Sequence, residues 1–294
     1  MKFVTFQDPQ GNTQYGITDE VHVYPLGPDY PRTMLEFIQN HDQYMSQLKM
    51  NELDKSYSLE EVNLLAPLPN PPSIRDFMAF EEHIVNAAKQ IGMEVAEAWY
   101  EIPAFYFTNH LVVSGHQAHI ERPPKCVALD YELEMACVIG KEGKNIKTSE
   151  AESYIFGYTI LNDWSARDLQ AKEMKVGLGP AKGKDFTTTI GPYIVTKDEL
   201  EPYKLGDRYN LDMVARVNGA QLSKGNFKDI HYTFGDMIER ASDGVTLYPG
   251  DIIGSGTVGT GCILELGTEG KWLEPGDTVE LEITGIGKLK NIVV

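Results

Sequence analysis

The sequence contains two runs that decide its fold, Asp130-Tyr131-Glu132-Leu133-Glu134 and Leu161-Asn162-Asp163-Trp164-Ser165-Ala166-Arg167-Asp168. Residues 131–139 are rich in strand-forming side chains, and successive side chains of a strand point to opposite faces. Glu132 and Glu134 are two residues apart, so their carboxylates are predicted to share one face of this strand. Asp163 follows the apolar run 154–161, at the position where a second strand should end.

Two carboxylates on one face of a strand repel each other, which costs energy unless a cation or a basic residue balances them. A hard divalent cation is one solution, because Mg²⁺ and Ca²⁺ bind carboxylate oxygens. A Glu-x-Glu pair is also typical of a solvated strand face, and the pair alone does not separate the two interpretations. The third acid, Asp163, favours a metal site.

The sequence that follows these acids resembles the fumarylacetoacetate hydrolase family, and the resemblance extends over residues 75–294. It is carried by two runs, Asn162-Asp163-Trp164-Ser165-Ala166-Arg167-Asp168-Leu169-Gln170 and Gly183-Lys184-Asp185-Phe186-Thr187-Thr188. The resemblance implies a mostly β fold with some α (α+β), in which a mixed β-roll follows a small N-terminal domain. The residues agree, because strand runs alternate with Gly and Pro turns from residue 112 onward.

The composition argues against several classes of function. The chain has 294 residues and a net charge of −17, which argues against nucleic-acid partners and anionic membrane surfaces. No apolar run reaches the length of a membrane span, and residues 1–9 lack a signal-peptide core. The three cysteines, Cys126, Cys137 and Cys262, lack metal-binding spacing. We therefore expect a cytoplasmic protein with reduced thiols.

Two domains, residues 1–70 and 71–294, are predicted on either side of the proline cluster Leu68-Pro69-Asn70-Pro71-Pro72. Proline removes a backbone donor, so this cluster is neither a helix interior nor a central strand. Residues 3–6, 15–17 and 21–24 are predicted strands. The apolar spacing between residues 33 and 50 predicts one amphipathic helix.

In the larger domain, residues 103–110 are a predicted strand, and helices are predicted near residues 149–155, 165–175 and 232–241. The run Gly256-Thr257-Val258-Gly259-Thr260-Gly261 invites comparison with a phosphate-binding loop. A strand is predicted next, at residues 262–266, where such a loop needs a helix N-terminus, so nucleotide binding is not predicted. The sequence also lacks a Gly-x-Ser-x-Gly elbow, which argues against a serine hydrolase.

The family resemblance implies a metal site, residue by residue. Glu132, Glu134 and Asp163 match the three principal carboxylate ligands, and Asp76 matches a fourth acid beside or on the metal. An all-oxygen set suits Mg²⁺, with Mn²⁺ and Ca²⁺ as alternatives. Lys184 matches a position next to this site, where it either balances the acids or contacts a substrate oxygen. In the second case it is a catalytic residue that stabilises the developing charge of the enolate.

The resemblance also implies a catalytic pair. His83 matches the general base of the family, and Glu265 matches the acid that orients it. Such a pair can activate water, because the carboxylate fixes the imidazole tautomer and raises its basicity. Arg167 is expected to pair with an acid near the metal. Substrate-binding positions of the family are matched by Tyr106, Gln170 and Thr257, although packing in an aromatic run explains the first nearly as well.

The predicted reaction is hydrolysis of a carbon–carbon bond in a β-diketone acid, with fumarylacetoacetate as the first substrate to test. The partner is then a small anionic keto acid, and the family commonly forms homodimers. Alternatives within the family are acylpyruvate hydrolysis, oxaloacetate decarboxylation, and hydratase or dehydratase chemistry on a 2-keto acid. A non-catalytic metal- or ligand-binding module is the alternative from another class, and His83 argues against it, because a binder needs no base.

Overall fold

The computed structural model describes residues 1–50, 53, 55–269 and 271–294, and it confirms a mostly β, α+β fold. The strands are β1 (Lys2–Gln7), β2 (Thr13–Thr18), β3 (His22–Pro25), β4 (Tyr57–Ser58), β5 (Asn63–Leu64), β6 (Ile74–Phe77), β7 (Phe105–Thr108), β8 (Val113–Ser114), β9 (His119–Ile120), β10 (Leu129–Asp130), β11 (Leu133–Ile139), β12 (Gly143–Lys144), β13 (Ile155–Asn162), β14 (Ser165–Ala166), β15 (Thr188–Thr196), β16 (Lys204–Leu205), β17 (Arg208–Tyr209), β18 (Asp212–Val217), β19 (Ala220–Asn226), β20 (Thr246–Leu247), β21 (Ile252–Gly254), β22 (Thr278–Ile283) and β23 (Gly287–Val293).

The helices are short. They are α1 (Met34–Gln39), α2 (His41–Tyr44), α3 (Glu81–Gln90), α4 (Thr148–Ala151), α5 (Arg167–Glu173), α6 (Lys197–Leu200) and α7 (Phe234–Ser242). Single 3₁₀ turns lie between them, and one 3₁₀ segment, Leu264–Glu269, is broken at Gly267. Within the described residues, no helix has the length and apolar character needed to cross a lipid bilayer.

The larger sheet positions the predicted ligands. Its strands lie in the order β4-β3-β2-β1-β15-β13-β11-β21-β6-β7, with β5 beside β1 and β8 beside β15. β11 pairs antiparallel with β13 and β21, whereas β21 pairs parallel with β6, so the sheet is mixed. Because β13, β11, β21, β6 and β7 lie side by side, acids that are far apart in the sequence meet on neighbouring strands.

Strand β11 is buried on both faces. One face packs in a core shared with the second sheet (order β19-β18-β22-β23-β9) and presents Leu133, Met135, Cys137 and Ile139. The other face carries Ala136 and Val138 into a core shared with the N-terminal helices. Glu132 and Glu134 are only 5% and 1% exposed. A solvated strand face is therefore wrong for this pair of acids.

The N-terminal strands extend the same sheet. β1 pairs with β15, and Phe3, Ile17 and Phe37 lie in one core with Ile194 and Ile252. The division after residue 70 stays a prediction, because shared pairing and packing do not report whether either part folds alone.

The single helix predicted between residues 33 and 50 is wrong, because α1 and α2 are separated at Asn40. Asn40 has a non-helical φ of −125°, and its side-chain amide donates to the Glu36 carbonyl at 2.9 Å. Asparagine side chains compete in this way with backbone hydrogen bonds and end helices.

The strand predicted at residues 262–266 is also wrong, since these residues lead into the 3₁₀ segment Leu264–Glu269. The Asp130 carboxylate accepts the backbone N–H of Ile263 at 2.8 Å and that of Leu264 at 3.1 Å. These bonds satisfy the free donors at the start of the turn, as a capping side chain does. A helical turn thus follows the Gly-rich run, but its N-terminal donors already bind a carboxylate of the protein.

Candidate active site

Three buried carboxylates meet where strands of the larger sheet lie side by side. Glu134 is on β11, Asp163 directly follows β13, and Asp76 is on β6. One oxygen of each lies within 4.8 Å of the others. We call Asp76, Glu134 and Asp163 the carboxylate cluster. The structure thus brings together three of the four acids matched to metal ligands in the family.

The cluster depends on a glycine that lies between two of its members. Gly254 on β21 pairs with Asp76 on β6 and with Ala136 on β11. A Cβ atom at Gly254 would lie 2.5 Å from Asp76 Oδ1 and 3.2 Å from Glu134 Oε2. Only a residue without a side chain lets the two carboxylates converge above β21.

Replacing Gly254 with alanine should weaken divalent-metal binding about 10–100-fold, the range typical for disturbing groups that orient metal ligands. The added methyl group would push the Asp76 and Glu134 carboxylates apart. Calorimetric titration with Mn²⁺ measures the affinity. Gly27→Ala is the matched control, because Gly27 has ordinary backbone angles and no atom within 4 Å of an added Cβ. Equal affinity of the Gly254 variant and the control would refute this role.

The negative charge of the carboxylate cluster favours binding of a cation. Asp76 Oδ1 and Asp163 Oδ1 are buried, and neither has a hydrogen-bond partner within the described part of the chain. Burial and the Asp163 charge raise the pKa of Asp76 well above its usual value. Burial and the Asp76 charge do the same to the pKa of Glu134. These carboxylates repel one another when they are ionised, and two of their oxygens have no hydrogen-bond partner. A hard divalent metal fits such a site, because it takes oxygen ligands and supplies positive charge.

Lowering the pH should weaken metal binding at this cluster. The raised pKa values of Asp76 and Glu134 mean that each carboxyl keeps its proton to a higher pH than a free carboxyl, and the metal must displace that proton. Below the raised pKa, each displaced proton increases the metal Kd about tenfold per pH unit. Mn²⁺ titrations at stepped pH values measure this slope. A Kd that does not change as the pH falls would contradict the raised pKa values.

Glu132 lies beside the cluster and is held by two buried cations. Its Oε1 accepts from Arg167 Nη2 at 2.8 Å, and its Oε2 accepts from Lys184 Nζ at 2.5 Å. Burial works to raise the pKa of Glu132, but the charges of Lys184 and Arg167 outweigh it and hold this pKa below the usual range.

Lys184 links Glu132 to the cluster. Its ammonium also donates to Asp163 Oδ2 at 2.5 Å and to Ser165 Oγ at 2.7 Å. Burial acts to lower the pKa of Lys184, but the charges of Asp163 and Glu132 raise it above its usual value. Of the two roles predicted for Lys184, the structure therefore shows the balancing of acids.

Arg167 pairs with acids near the cluster, as expected. Its Nε donates to Asp130 Oδ2 at 2.9 Å, while its Nη2 bonds Glu132. The buried cations Arg167 and Lys184 pair with Asp130, Glu132 and Asp163, whereas the buried acids Asp76 and Glu134 have no ion pair within the described residues. The excess of negative charge is a second reason why a divalent cation fits here.

His83 and Glu265 form a buried pair although they are 182 residues apart. His83 is on α3, and its Nδ1 lies 2.8 Å from Glu265 Oε1. The other oxygen, Oε2, accepts from Asn86 Nδ2 at 3.1 Å and from the Thr260 backbone N–H at 2.8 Å. Because an ionised carboxylate only accepts, the neutral imidazole carries its proton on Nδ1 and its lone pair on Nε2. No group in the described residues forms a hydrogen bond with Nε2.

The three residues matched to substrate-binding positions each contact the site. The Tyr106 hydroxyl donates to Asp163 Oδ2 at 2.7 Å, and Gln170 Oε1 accepts from Arg167 Nη1 at 3.2 Å. The Thr257 hydroxyl donates to Glu134 Oε1 at 3.3 Å. Their contact with substrate stays a prediction.

Sequence reasoning missed several residues that organise the site. Asp130 holds both Arg167 and the turn before Glu265, and Asn162 Oδ1 accepts the Glu132 backbone N–H at 2.9 Å. The position of Asp130, two residues before Glu132, is a signal that could have found it, because both then belong to one alternating series. Gly254, at the end of an apolar strand, was a weaker signal of close backbone approach.

The chain is similar to known proteins over most of its length. Residues 73–294 match the family described as fumarylacetoacetate (FAA) hydrolase C-terminal. The chain is 32% identical over 275 residues to oxaloacetate tautomerase YisK of Bacillus subtilis (strain 168), covering 89% of this chain and 86% of that protein. It is 30% identical over 279 residues to oxaloacetate tautomerase FAHD2A, mitochondrial, of Homo sapiens, covering 93% and 83%. The solved structure of fumarylacetoacetate hydrolase (EaFAH) from psychrophilic Exiguobacterium antarcticum matches with a TM-score of 0.79 and 29% identity over 100% of this chain and 99% of that chain.

Proposed function

The chain belongs to the fumarylacetoacetate hydrolase family, and on this premise we propose that it is an oxaloacetate keto–enol tautomerase. In this reaction a proton moves between C3 and the C2 oxygen of a 2-oxo dicarboxylic acid. The proposal rests on the His83–Glu265 pair, whose Nδ1 and Oε1 atoms lie 2.8 Å apart, together with the cluster of buried carboxylates. The two relatives named oxaloacetate tautomerase support this substrate, because they align with 89% and 93% of the chain.

His83 is the proposed base at C3. Glu265 accepts the Nδ1 proton, so the lone pair of Nε2 is free to take the C3 proton, and the carboxylate stabilises the imidazolium that forms. The imidazolium then transfers a proton to the C2 oxygen, and no carbon–carbon bond breaks. Asn86 and Thr260 hold Glu265 from the other side, which keeps the pair aligned during the transfer.

The carboxylate cluster is proposed to hold a divalent metal, with Glu132 beside it. Mg²⁺ is the proposed ion, and Mn²⁺ and Ca²⁺ are the alternatives. When bound, the metal supplies Lewis-acid stabilisation of negative charge on the substrate oxygens. Lys184 donates to Glu132 and Asp163, which favours the ionised form of each carboxylate and fixes both in position. The homodimer and the cytoplasmic location stay predictions from the sequence.

Hydrolysis of a β-diketone acid, with fumarylacetoacetate as the substrate, is the second candidate. It is supported by the likeness to the Exiguobacterium antarcticum hydrolase and by the same His83–Glu265 pair, which could deprotonate a water molecule instead of C3. Acylpyruvate hydrolysis, oxaloacetate decarboxylation, and hydratase or dehydratase chemistry on a 2-keto acid remain alternatives, because an enolate forms in each of them.

Proton NMR in D₂O with Mg²⁺ separates these reactions. A tautomerase accelerates exchange of the C3 protons of oxaloacetate for deuterium, relative to Mg²⁺ alone, without forming pyruvate. Pyruvate formation at the rate of exchange would instead indicate decarboxylation. A parallel reaction with fumarylacetoacetate, in which fumarate and acetoacetate accumulate, would favour hydrolysis. Failure to accelerate exchange above the Mg²⁺ control would overturn the tautomerase proposal.

A further inference from the structure

A second group of potential metal ligands is separate from the carboxylate cluster and differs from it in chemistry. One ring nitrogen of His83, the Cys262 Sγ and one carboxylate oxygen of Glu265 lie within 4.8 Å of one another. Glu265 Oε1 is 2.8 Å from Nδ1 and 3.5 Å from Sγ. Asn86 and Thr260 donate hydrogen bonds to the other oxygen, Oε2. Glu265 Oε1 therefore contacts both Nδ1 and Sγ, and all three side chains are buried.

The ligand types and spacings suit a zinc ion. Zn²⁺ binds Cys, His and Glu in tetrahedral sites at about 2.0–2.3 Å, which places neighbouring ligand atoms about 3.3–3.8 Å apart. The Sγ–Oε1 distance of 3.5 Å falls in this range. The Nδ1–Oε1 distance of 2.8 Å is that of a hydrogen bond and must open by less than 1 Å. Three protein ligands and one open position are typical of an exchangeable zinc site.

We propose that His83, Cys262 and Glu265 bind Zn²⁺ or a cation of similar softness, and that this ion inhibits the enzyme. The inhibition rests on the proposed function of His83. The two sites select different cations, because thiolate and imidazole favour zinc whereas the all-oxygen cluster favours Mg²⁺. Mg²⁺ at the carboxylate cluster is therefore expected to leave the second site free for zinc.

Inhibition follows from the proton balance at the imidazole. The Cys262 thiol loses its proton to solvent as the Zn–S bond forms. A Zn–N bond at Nδ1 needs the lone pair of that nitrogen, so the imidazole proton moves from Nδ1 to Nε2. Nε2 then carries a proton and no lone pair, and it can no longer take a proton from C3. Glu265 changes from hydrogen-bond acceptor to metal ligand in the same step.

Cobalt spectroscopy tests the site without turnover. Co²⁺ added to Mg²⁺-saturated protein should produce a near-ultraviolet thiolate-to-cobalt charge-transfer band. Cys262→Ser should remove the band, because a serine hydroxyl is a poor zinc or cobalt ligand. Cys126→Ser is the matched control, since Cys126 is also a buried free thiol and should leave the band unchanged. A wild-type protein without the band overturns the site, whether or not either variant folds.

Zinc inhibition provides the second readout. In Mg²⁺-saturated enzyme, the zinc concentration that halves oxaloacetate C3 exchange should rise at least about tenfold in Cys262→Ser, while activity without zinc stays near wild type. Equal zinc sensitivity of the wild type and Cys262→Ser would place the inhibitory zinc elsewhere and overturn the proposal. The cobalt band distinguishes the two proposals, since a band without turnover overturns only the tautomerase, and turnover without a band overturns only the zinc site.

Discussion

Replacing His83 with alanine should lower kcat by about 10²–10⁴, the usual contribution of a general base, while metal affinity stays unchanged. The imidazole contacts Glu265 and none of the three carboxylates of the cluster through a hydrogen bond. Glu265 keeps its bonds from Asn86 and Thr260, so the variant does not leave this carboxylate without partners. Rates of C3 exchange and calorimetric Mn²⁺ titrations measure the two quantities.

His119→Ala is the matched control for this experiment, because His119 is an exposed imidazole on β9, outside the site. Added imidazole should restore part of the activity of His83→Ala, because a small base can enter the space left by the side chain. Rescue would be absent if the loss came from a distorted fold. A variant with normal turnover, or one that no longer binds metal, would contradict the role proposed for His83.

Replacing Asp76 with asparagine should remove metal binding and activity together, yet stabilise the metal-free protein. The variant loses a ligand outright, so its metal affinity should fall by more than the roughly 10–100-fold seen when supporting groups are changed. The same change removes a buried charge that burial and Asp163 disfavour. The metal-free Tm should therefore rise, at about 2–4 °C for each kcal/mol gained in a domain of this size.

The pH dependence of the Tm difference between Asp76→Asn and the wild type provides a further check. The pKa of Asp76 is raised in the folded protein, so its contribution to folding stability is present below the unfolded pKa and is lost as the pH rises through the folded pKa. The Tm advantage of Asp76→Asn should be present at neutral pH and shrink on acidification, where the wild-type carboxyl is already protonated. An advantage that grows on acidification would show that the pKa is lowered instead.

Glu239→Gln is a suitable control, since Glu239 is a partly exposed acid outside the site whose pKa is lowered to about 2, chiefly by a hydrogen bond from the Thr148 side chain. Loss of that acid should leave metal binding unchanged and should not raise the Tm. An Asp76→Asn variant that retains wild-type metal affinity would exclude Asp76 as a ligand.

The placement of some acidic side chains in the candidate site could be predicted from neighbouring residues in the sequence. Alternation along a strand put Glu132 and Glu134 on one face, and the end of an apolar run placed Asp163 nearby. The structure buries all three acids and brings Glu134 and Asp163 together, whereas Glu132 lies just before β11 and pairs with Lys184 and Arg167. The matches to the family added Asp76, His83 and Glu265, which lie in segments with no strong local pattern of their own. The catalytic and ligand roles of these residues stay proposals.

The failed predictions share one cause. The helix predicted between residues 33 and 50 was broken by a hydrogen bond of Asn40, and the strand predicted at residues 262–266 was replaced by a turn capped by Asp130. In both cases a side-chain hydrogen bond overrode an apolar pattern that was otherwise consistent. The Asp130 bond spans 133 residues, so no window of local sequence contains both partners.

The sequence by itself determined the family, through its motifs, and the β-rich fold. It also pointed to Glu132, Glu134 and Asp163, because strand alternation and strand ends are local properties of the chain. Only the tertiary structure decided which acids pair with buried cations and which converge into the carboxylate cluster. Glu132 pairs with Lys184 and Arg167, whereas Asp76 converges with Glu134 across Gly254. It also brought Cys262 beside the His83–Glu265 pair. These contacts depend on strand order and on the path of distant loops, and their energies arise from burial and charge that exist only once the chain has folded.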